Sequence, residues 1–232
     1  MKRILLSLLI AGIVQNSFAM QDDLQVAVGG AAVADVNASD EYGRTALMMA
    51  AADGRIETVR LLIIAGADVN ASDKHGRTAL MMAAGNTETV SLLITAGADV
   101  NARDEHAYTT LIWAAWHGHT KIVQLLITVG ADVNARNSNG WTALMLAAGY
   151  DYTEIVQLLI DACANVNARD NDGNTALMYA TRYDFTEMVL LLIAAGADVN
   201  ARDHDGDTAL IQAAEFGYTK IVQLLCDHGA VQ

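Results

Sequence analysis

The sequence predicts an all-α solenoid, a stack of short helix pairs with a hairpin or loop in each unit. Three observations predict it. From Asp40 onward the chain recurs with a period of 33 residues, its units beginning at Asp40, Asp73, Asp104, Asn137, Asp170 and Asp203. Fixed columns run through the units: Gly43, Gly76, Gly140, Gly173 and Gly206; Thr45, Thr78, Thr109, Thr142, Thr175 and Thr208; Leu47, Leu80, Leu111, Leu144, Leu177 and Leu210. The composition is 53% apolar, ample for a core. Such repetition implies that each unit buries its apolar face against its neighbours.

Within a unit the elements follow in order. Thr45 and its equivalents are N-cap candidates, because a hydroxyl can accept from an orphan backbone amide. The run Ala46 to Ala51 then carries helical propensity and small residues for close packing. Gly54, Gly85, Gly118 and Gly217 supply a tight turn, and Asp151 and Asp184, which tolerate the left-handed region, fill the same column. A second helix follows, such as Glu57 to Ala65. Gly66, Gly97, Gly130 and Gly196 cap its C-terminus, and Ala-Asp-Val-Asn-Ala leads into the turn Asp-x-x-Gly.

This unit resembles the ankyrin repeat, whose pattern runs D-x-x-G-x-T-P-L-H-x-A-A…G-A-D-V-N-A, over roughly residues 33 to 232. The resemblance implies a curved stack of helix pairs with projecting hairpins, used to bind another protein. The departures matter. Ala46 and its equivalents replace the family's Pro, and the chain has no Pro at all. Met48, Met81, Ile112, Met145, Met178 and Ile211 replace the family's His, removing its usual polar link to the hairpin. Ala107 stands where the turn wants Gly, and Cys163 replaces a capping Gly, so both corners are expected to carry mild strain.

The first residues read as a cleavable secretory signal. Met1-Lys2-Arg3 is a basic start, Ile4 to Val14 an apolar run, and Ser17-Phe18-Ala19 a small-x-small cleavage site, cut after Ala19. The run is short for a membrane span and no later segment approaches one. The expected organisation is a signal at 1–19, a partial capping repeat at 20–39, and six repeats at 40–72, 73–103, 104–136, 137–169, 170–202 and 203–232. The expected destination is the periplasm or the exterior. The last unit ends without a finished hairpin, and Gln212 reads as the polar residue of a terminal face.

Charge and chemistry exclude other classes. The net charge is −13, and −15 once Lys2 and Arg3 are removed, which argues against nucleic acid and anionic lipid as partners. His117-Gly118-His119 lacks a third ligand at metal-site spacing. Asp170-Asn171-Asp172-Gly173 and Asp203-His204-Asp205-Gly206 hint at calcium loops, but the EF-hand register would put Ala168 or Ala201 first, so they read as turns. There is no Gly-x-Ser-x-Gly elbow, and no catalytic residue, cofactor or metal is assigned. Cys163 and Cys226 fall two units apart, roughly 20 Å for helices spaced about 8 to 10 Å, so they are read as unpaired, with Cys226 buried.

Columns that stay apolar should be core, and columns that vary should be free of packing duty. By that comparison Trp113, in the column of Met49, Met82, Leu146 and Tyr179, reads as core. Trp116 (with Ala52, Gly149, Arg182 and Glu215) and His117 (with Asp53, Tyr150, Tyr183 and Phe216) read as solvent-facing. The turn column holds Tyr108 and Trp141. A strip of Tyr108, Trp116, His117, Trp141, Tyr150, Tyr183 and Phe216 is therefore the expected partner-binding surface, rigid aromatics being common binding hot spots.

Arg103, Arg136, Arg169 and Arg202 read as local neutralisation of the acidic turn column; a ladder that clamps a partner's acids is the alternative. The second unit omits the pair that Trp116 and His117 fill in the third, which predicts a notch beside Trp116. The expected function is a monomeric, non-enzymatic scaffold that binds a protein through the concave face and hairpin tips. An exported effector acting on a host protein is the alternative, and a small-ligand receptor or enzyme a third class.

Overall fold

The computed structural model describes residues 35 to 231, which divide at Glu105 into two compact units. The signal segment and most of the partial first repeat lie outside the described residues. Among those described there are twelve helices and no strand longer than a single bridge.

The first unit holds α1 (Ala46–Ala52), α2 (Ile56–Ile64), α3 (Ala79–Met82) and α4 (Thr87–Thr95). The second holds α5 (Thr110–Trp116), α6 (Thr120–Thr128), α7 (Ala143–Gly149), α8 (Thr153–Asp161), α9 (Ala176–Arg182), α10 (Thr186–Ala194), α11 (Ala209–Glu215) and α12 (Thr219–Asp227). In each unit the first helix of a pair packs on its own partner and on the first helix of the next pair.

Every first helix starts as the sequence predicts. Thr45, Thr78, Thr109, Thr142, Thr175 and Thr208 are extended at the N-cap, and each hydroxyl accepts from the backbone N–H three residues on, at 3.3 to 3.4 Å. Such a cap is worth about 1 kcal/mol. The first helices end in Schellman geometry: in α5, His119 N–H bonds Ala114 O at 2.9 Å and Gly118 N–H bonds Ala115 O at 3.4 Å. The left-handed residue this needs is Gly54, Gly118 or Gly217, and Asp151 and Asp184 take it at φ 60°. Gly85 departs from expectation. It is not left-handed; α3 is only four residues long, and Asn86 Oδ1 caps α4 through Thr89 N–H at 2.9 Å. The shortening leaves a hollow of about 300 Å³ between Ala52-Asp53-Gly54 and Met82-Ala83.

The core follows the helical period. Leu47, Leu80, Leu111, Leu144, Leu177 and Leu210 are buried beneath the first helices, and Ile122, Val123 and Leu126 show the i, i+1, i+4 stripe of a second helix. Each fully buried Leu contributes about 1.5 to 3 kcal/mol. Met48, Met81, Ile112, Met145 and Met178 are buried too, filling with hydrocarbon the column where the family keeps His.

The turns are nonetheless rigid, because another group holds them. Asp40, Asp73, Asn137, Asp170 and Asp203 each turn one side-chain oxygen onto the backbone N–H groups two and four residues ahead, at 2.8 to 3.1 Å. The turn reading of the Asp-rich segments stands on these bonds. Only the first unit adds β bridges, Ser39 with Thr45 and Ser72 with Thr78.

Two ladders stitch adjacent repeats, and only one involves residues singled out above. Asn37, Asn70, Asn134, Asn167 and Asn200 accept from Asp68, Asp99, Asn165, Asp198 and Val231 N–H at 2.7 to 2.9 Å. The side-chain amides of Asn70, Asn167 and Asn200 also donate to the carbonyls of Gly97, Gly196 and Gly229. In the second unit the arginine column reaches backbone carbonyls: Arg136 donates to Arg169 O at 2.6 Å, Arg169 donates to Arg202 O, and Arg202 donates to Gly206 O at 2.7 Å. Guanidinium donors thus close backbone carbonyls left open by the turns.

Three further expectations are corrected. Cys226 is exposed, not buried, because it lies on the outer side of α12, whereas Ile221 and Leu225 turn inward; Cys163 is exposed too, and both are free. Gln212 is buried, not part of a solvent face; its amide donates to Asp203 Oδ2 at 3.4 Å. Trp113 is half-buried, as Met49, Met82 and Tyr179 are, whereas Leu146 and Gln212 in the same column are buried.

Candidate protein-binding face

The last turn of each first helix in the second unit delivers an aromatic group to one side of the stack. In α5, Trp113 and Trp116 are three residues apart, on one helical face, and stack with centroids 5.1 Å apart. His117 packs on Trp113 at 5.3 Å, and its Nδ1 lies 2.9 Å from Trp113 O. A carbonyl only accepts, so Nδ1 carries the proton. Tyr108, from the preceding turn, covers both indoles at 5.2 and 5.9 Å. His119 stacks beneath His117 at 5.9 Å; burial and then the nearby His117 lower its pKa below the ordinary histidine value.

The left-handed turn generates the rest of the pattern. Residues on either side of it point the same way, giving ring pairs at 5.7 to 6.0 Å: Tyr150 stacked with Tyr152, Tyr183 tilted against Phe185, and Phe216 stacked with Tyr218. The outer members are 52, 55 and 57% exposed. The inner members are half-buried and support them. Trp116 Nε1 donates to Tyr150 OH at 3.1 Å, tying the α5 cluster to the end of α7.

Between the first helices lies a hollow of about 430 Å³, walled by Trp116, Trp141, Tyr150, Tyr179, Tyr183 and Phe185. Gly149 and Leu146 contribute to its lining. Gly149 falls in the column that holds Ala52, Trp116, Arg182 and Glu215, and lacking a side chain it leaves the space empty. The Tyr179 hydroxyl donates to Asp170 Oδ2 at 2.5 Å. Burial, then that hydrogen bond and the negative charge of Asp170, push the Tyr179 hydroxyl well above the ordinary tyrosine pKa.

Of the seven residues expected on the strip, Tyr108, Trp116 and His117 form one cluster with Trp113, and Trp116, Trp141, Tyr150 and Tyr183 line the hollow. Phe216 stands apart with Tyr218. Column comparison overlooked Tyr179 and Phe185. The spacing aromatic, left-handed residue, aromatic was the signal that could have found Phe185, and it recurs in Tyr150-Asp151-Tyr152 and Phe216-Gly217-Tyr218.

Capped helix pairs, Asn-stitched turns and an aromatic edge define a helical repeat architecture. Family models for ankyrin repeats match residues 13–104 and 111–203 in one three-copy form, and residues 82–127 and 186–225 in another. The chain belongs to the ankyrin repeat family and is an ankyrin-repeat solenoid. Among solved structures it is similar to the ankyrin repeat domain of Bcl-3, a member of the IkappaB protein family. The two are 32% identical with a TM-score of 0.75, over 82% of this chain and 89% of that one. No curated protein sequence matches the chain. Ankyrin repeats are protein–protein interaction scaffolds. No helix among the described residues is long and apolar enough to cross a membrane.

Proposed function

We propose that this chain is an exported, non-enzymatic scaffold that captures a protein partner through the aromatic edge of its first helices and the adjoining turns. Export rests on the basic start, the apolar run and the Ser17-Phe18-Ala19 site, and leads to the periplasm or the exterior. The observation that carries the binding reading is the row Tyr150, Tyr183 and Phe216, each more than half exposed and each backed by a second ring. Large rings held at low entropic cost and left in water are suited to binding hot spots. The strongly acidic charge disfavours a polyanionic partner.

Capture from an extract by the immobilised chain tests the reading. The triple variant Tyr150→Ala, Tyr183→Ala, Phe216→Ala should keep its helical circular dichroism and lose the partner. Undiminished capture by the folded variant would move the binding surface elsewhere. Fractionation of expressing cells tests export: recovery of the full-length chain in the cytoplasm rejects it, and recovery inside a host cell favours an effector role over a resident scaffold.

A further inference from the structure

The hollow beside Gly149 offers one kind of chemistry. Its walls are the rings of Trp116, Trp141, Tyr150, Tyr179 and Tyr183, and no charged side chain lines it. The polar tips are engaged: Trp116 donates to Tyr150, the indole of Trp141 to the oxygen of Tyr179, and Tyr179 to Asp170. What the hollow offers a visitor is chiefly ring faces, which are the negative part of an aromatic quadrupole, with the Tyr150 and Tyr183 hydroxyls beside them.

Three observations give that surface a preference in charge. Tyr179 donates to a carboxylate that is only 5% exposed, an arrangement that pushes electron density into its ring. Residues 106 to 232 carry fourteen Asp and Glu against six Lys and Arg, so the field around the hollow draws cations and repels anions. The Tyr179 ring already attracts a cation from outside the hollow: the Arg182 guanidinium carbon lies 5.7 Å from its centroid, steered by Asn174 Oδ1 at 3.2 Å.

We infer that the hollow receives a cationic side chain, arginine or lysine, presented by a basic segment of the partner protein. The inference rests on the protein-binding reading above and specifies the chemistry of one contact within it. A cation held between several rings gains quadrupole attraction that a neutral group of the same shape does not.

The test follows the indole N–H resonances of Trp116 and Trp141 while the chain is titrated with acetyl-Gly-Arg-Gly-amide or its citrulline counterpart, which keeps the shape and removes the charge. The arginine peptide should bind at least about fivefold more tightly. Arg182→Gln, which removes the neighbouring positive charge that shares the Tyr179 ring, should tighten the arginine peptide and leave the citrulline peptide unchanged. Gly149→Leu should fill the floor and abolish both. An added Cβ there meets nothing closer than Tyr179 Cβ at 3.7 Å, so the helix can accept it. Tyr183→Leu, at an exposed position, should weaken the arginine peptide several-fold without touching the core. Equal affinity for the two peptides makes the hollow merely apolar and overturns the inference, as does the absence of any indole shift with the arginine peptide. Both results leave partner capture standing, whereas capture that survives the triple aromatic variant moves the partner surface away from the aromatic edge and leaves the charge preference to the peptide titration.

Discussion

Tyr179 donates its hydroxyl to Oδ2 of Asp170 at 2.5 Å, and the same oxygen of Asp40, Asp73 and Asp203 also finds a donor, by one of two routes. Asp40 and Asp73 take it from the arginine four residues on, Arg44 Nε at 2.8 Å and Arg77 Nε at 2.9 Å, and the residue nine ahead is then Met49 or Met82. Asp170 and Asp203 have no arginine four residues on, and Tyr179 and Gln212, nine ahead, donate instead. In the unit of Asn137 the two positions are Trp141 and Leu146, and the turn residue is a neutral amide whose Nδ2 has no partner. In the turns of Asp40, Asp73, Asp170 and Asp203 the second carboxylate oxygen is met by a donor, as burial of a charge requires.

That rule predicts a swap. Asn137→Asp should lower stability by about 1 to 3 kcal/mol, since it buries a charge with one oxygen unmet. Adding Trp141→Arg should recover most of the loss by recreating the arrangement of Asp73 with Arg77. Urea unfolding of the single and double variants, followed by circular dichroism, measures both, and a double variant no better than the single one would sink the rule.

Alkaline titration isolates Tyr179. Its raised pKa means the fold favours the neutral phenol, so its stabilisation is complete below about pH 10 and declines as pH rises beyond the ordinary tyrosine value. The phenolate absorbance of the native chain should show one tyrosine fewer than the number present until the chain unfolds in base. Tyr179→Phe should remove that late component, and a variant that retains it would assign the buried phenol to another residue.

Acid acts on the first unit through Asp73. Burial opposes its charge, but the Arg77 side chain and the Arg77 and His75 backbone N–H groups outweigh it and hold the carboxyl below the ordinary value. A depressed carboxyl pKa stabilises above the unfolded value, about 3.9, and the benefit disappears as pH falls through the lower folded value. Because Arg77 is partly exposed, solvent screening keeps its share modest, and Asp73→Asn should cost about 1 kcal/mol at neutral pH. The wild-type advantage should vanish near pH 2, and a difference that persists there would show that hydrogen bonding alone, not charge, separates the two chains.

Repetition made the fold legible. The Thr column carried the caps, the Leu column the core, and the Gly and Asp columns the left-handed turns. What column comparison missed is geometric. It placed Trp113 in the core because its column is apolar, yet burial varies along that column: Leu146 and Gln212 are buried, whereas Met49, Met82, Trp113 and Tyr179 are half-buried. It did not find the bonds from Arg136 and Arg169 to the carbonyls of Arg169 and Arg202, because sequence shows charges and not open carbonyls. The aromatic edge could be read because Tyr150, Tyr183 and Phe216 fall in one column. The hollow could not, because it depends on a side chain that Gly149 lacks.

The strained corners give the last prediction. Cys163 holds φ at 63° where Gly66, Gly97, Gly130 and Gly196 hold about 90° in the same C-cap column, and Ala107 holds 59° in the turn column. A left-handed residue with a Cβ costs roughly 1 to 2 kcal/mol, while glycine gives back about 0.5 to 1 kcal/mol through its freer unfolded chain. The balance predicts that Cys163→Gly and Ala107→Gly each stabilise by about 0.5 to 1 kcal/mol. Cys163 is exposed, so its replacement loses little packing. Asp151 and Asp184 provide the control. Their φ is also 60°, but aspartate can hydrogen-bond locally in this region and pays less strain, so glycine there should gain less. Thermal unfolding of the four variants orders them, and a gain at Asp151 as large as that at Cys163 would show that side-chain identity does not set the cost of these corners.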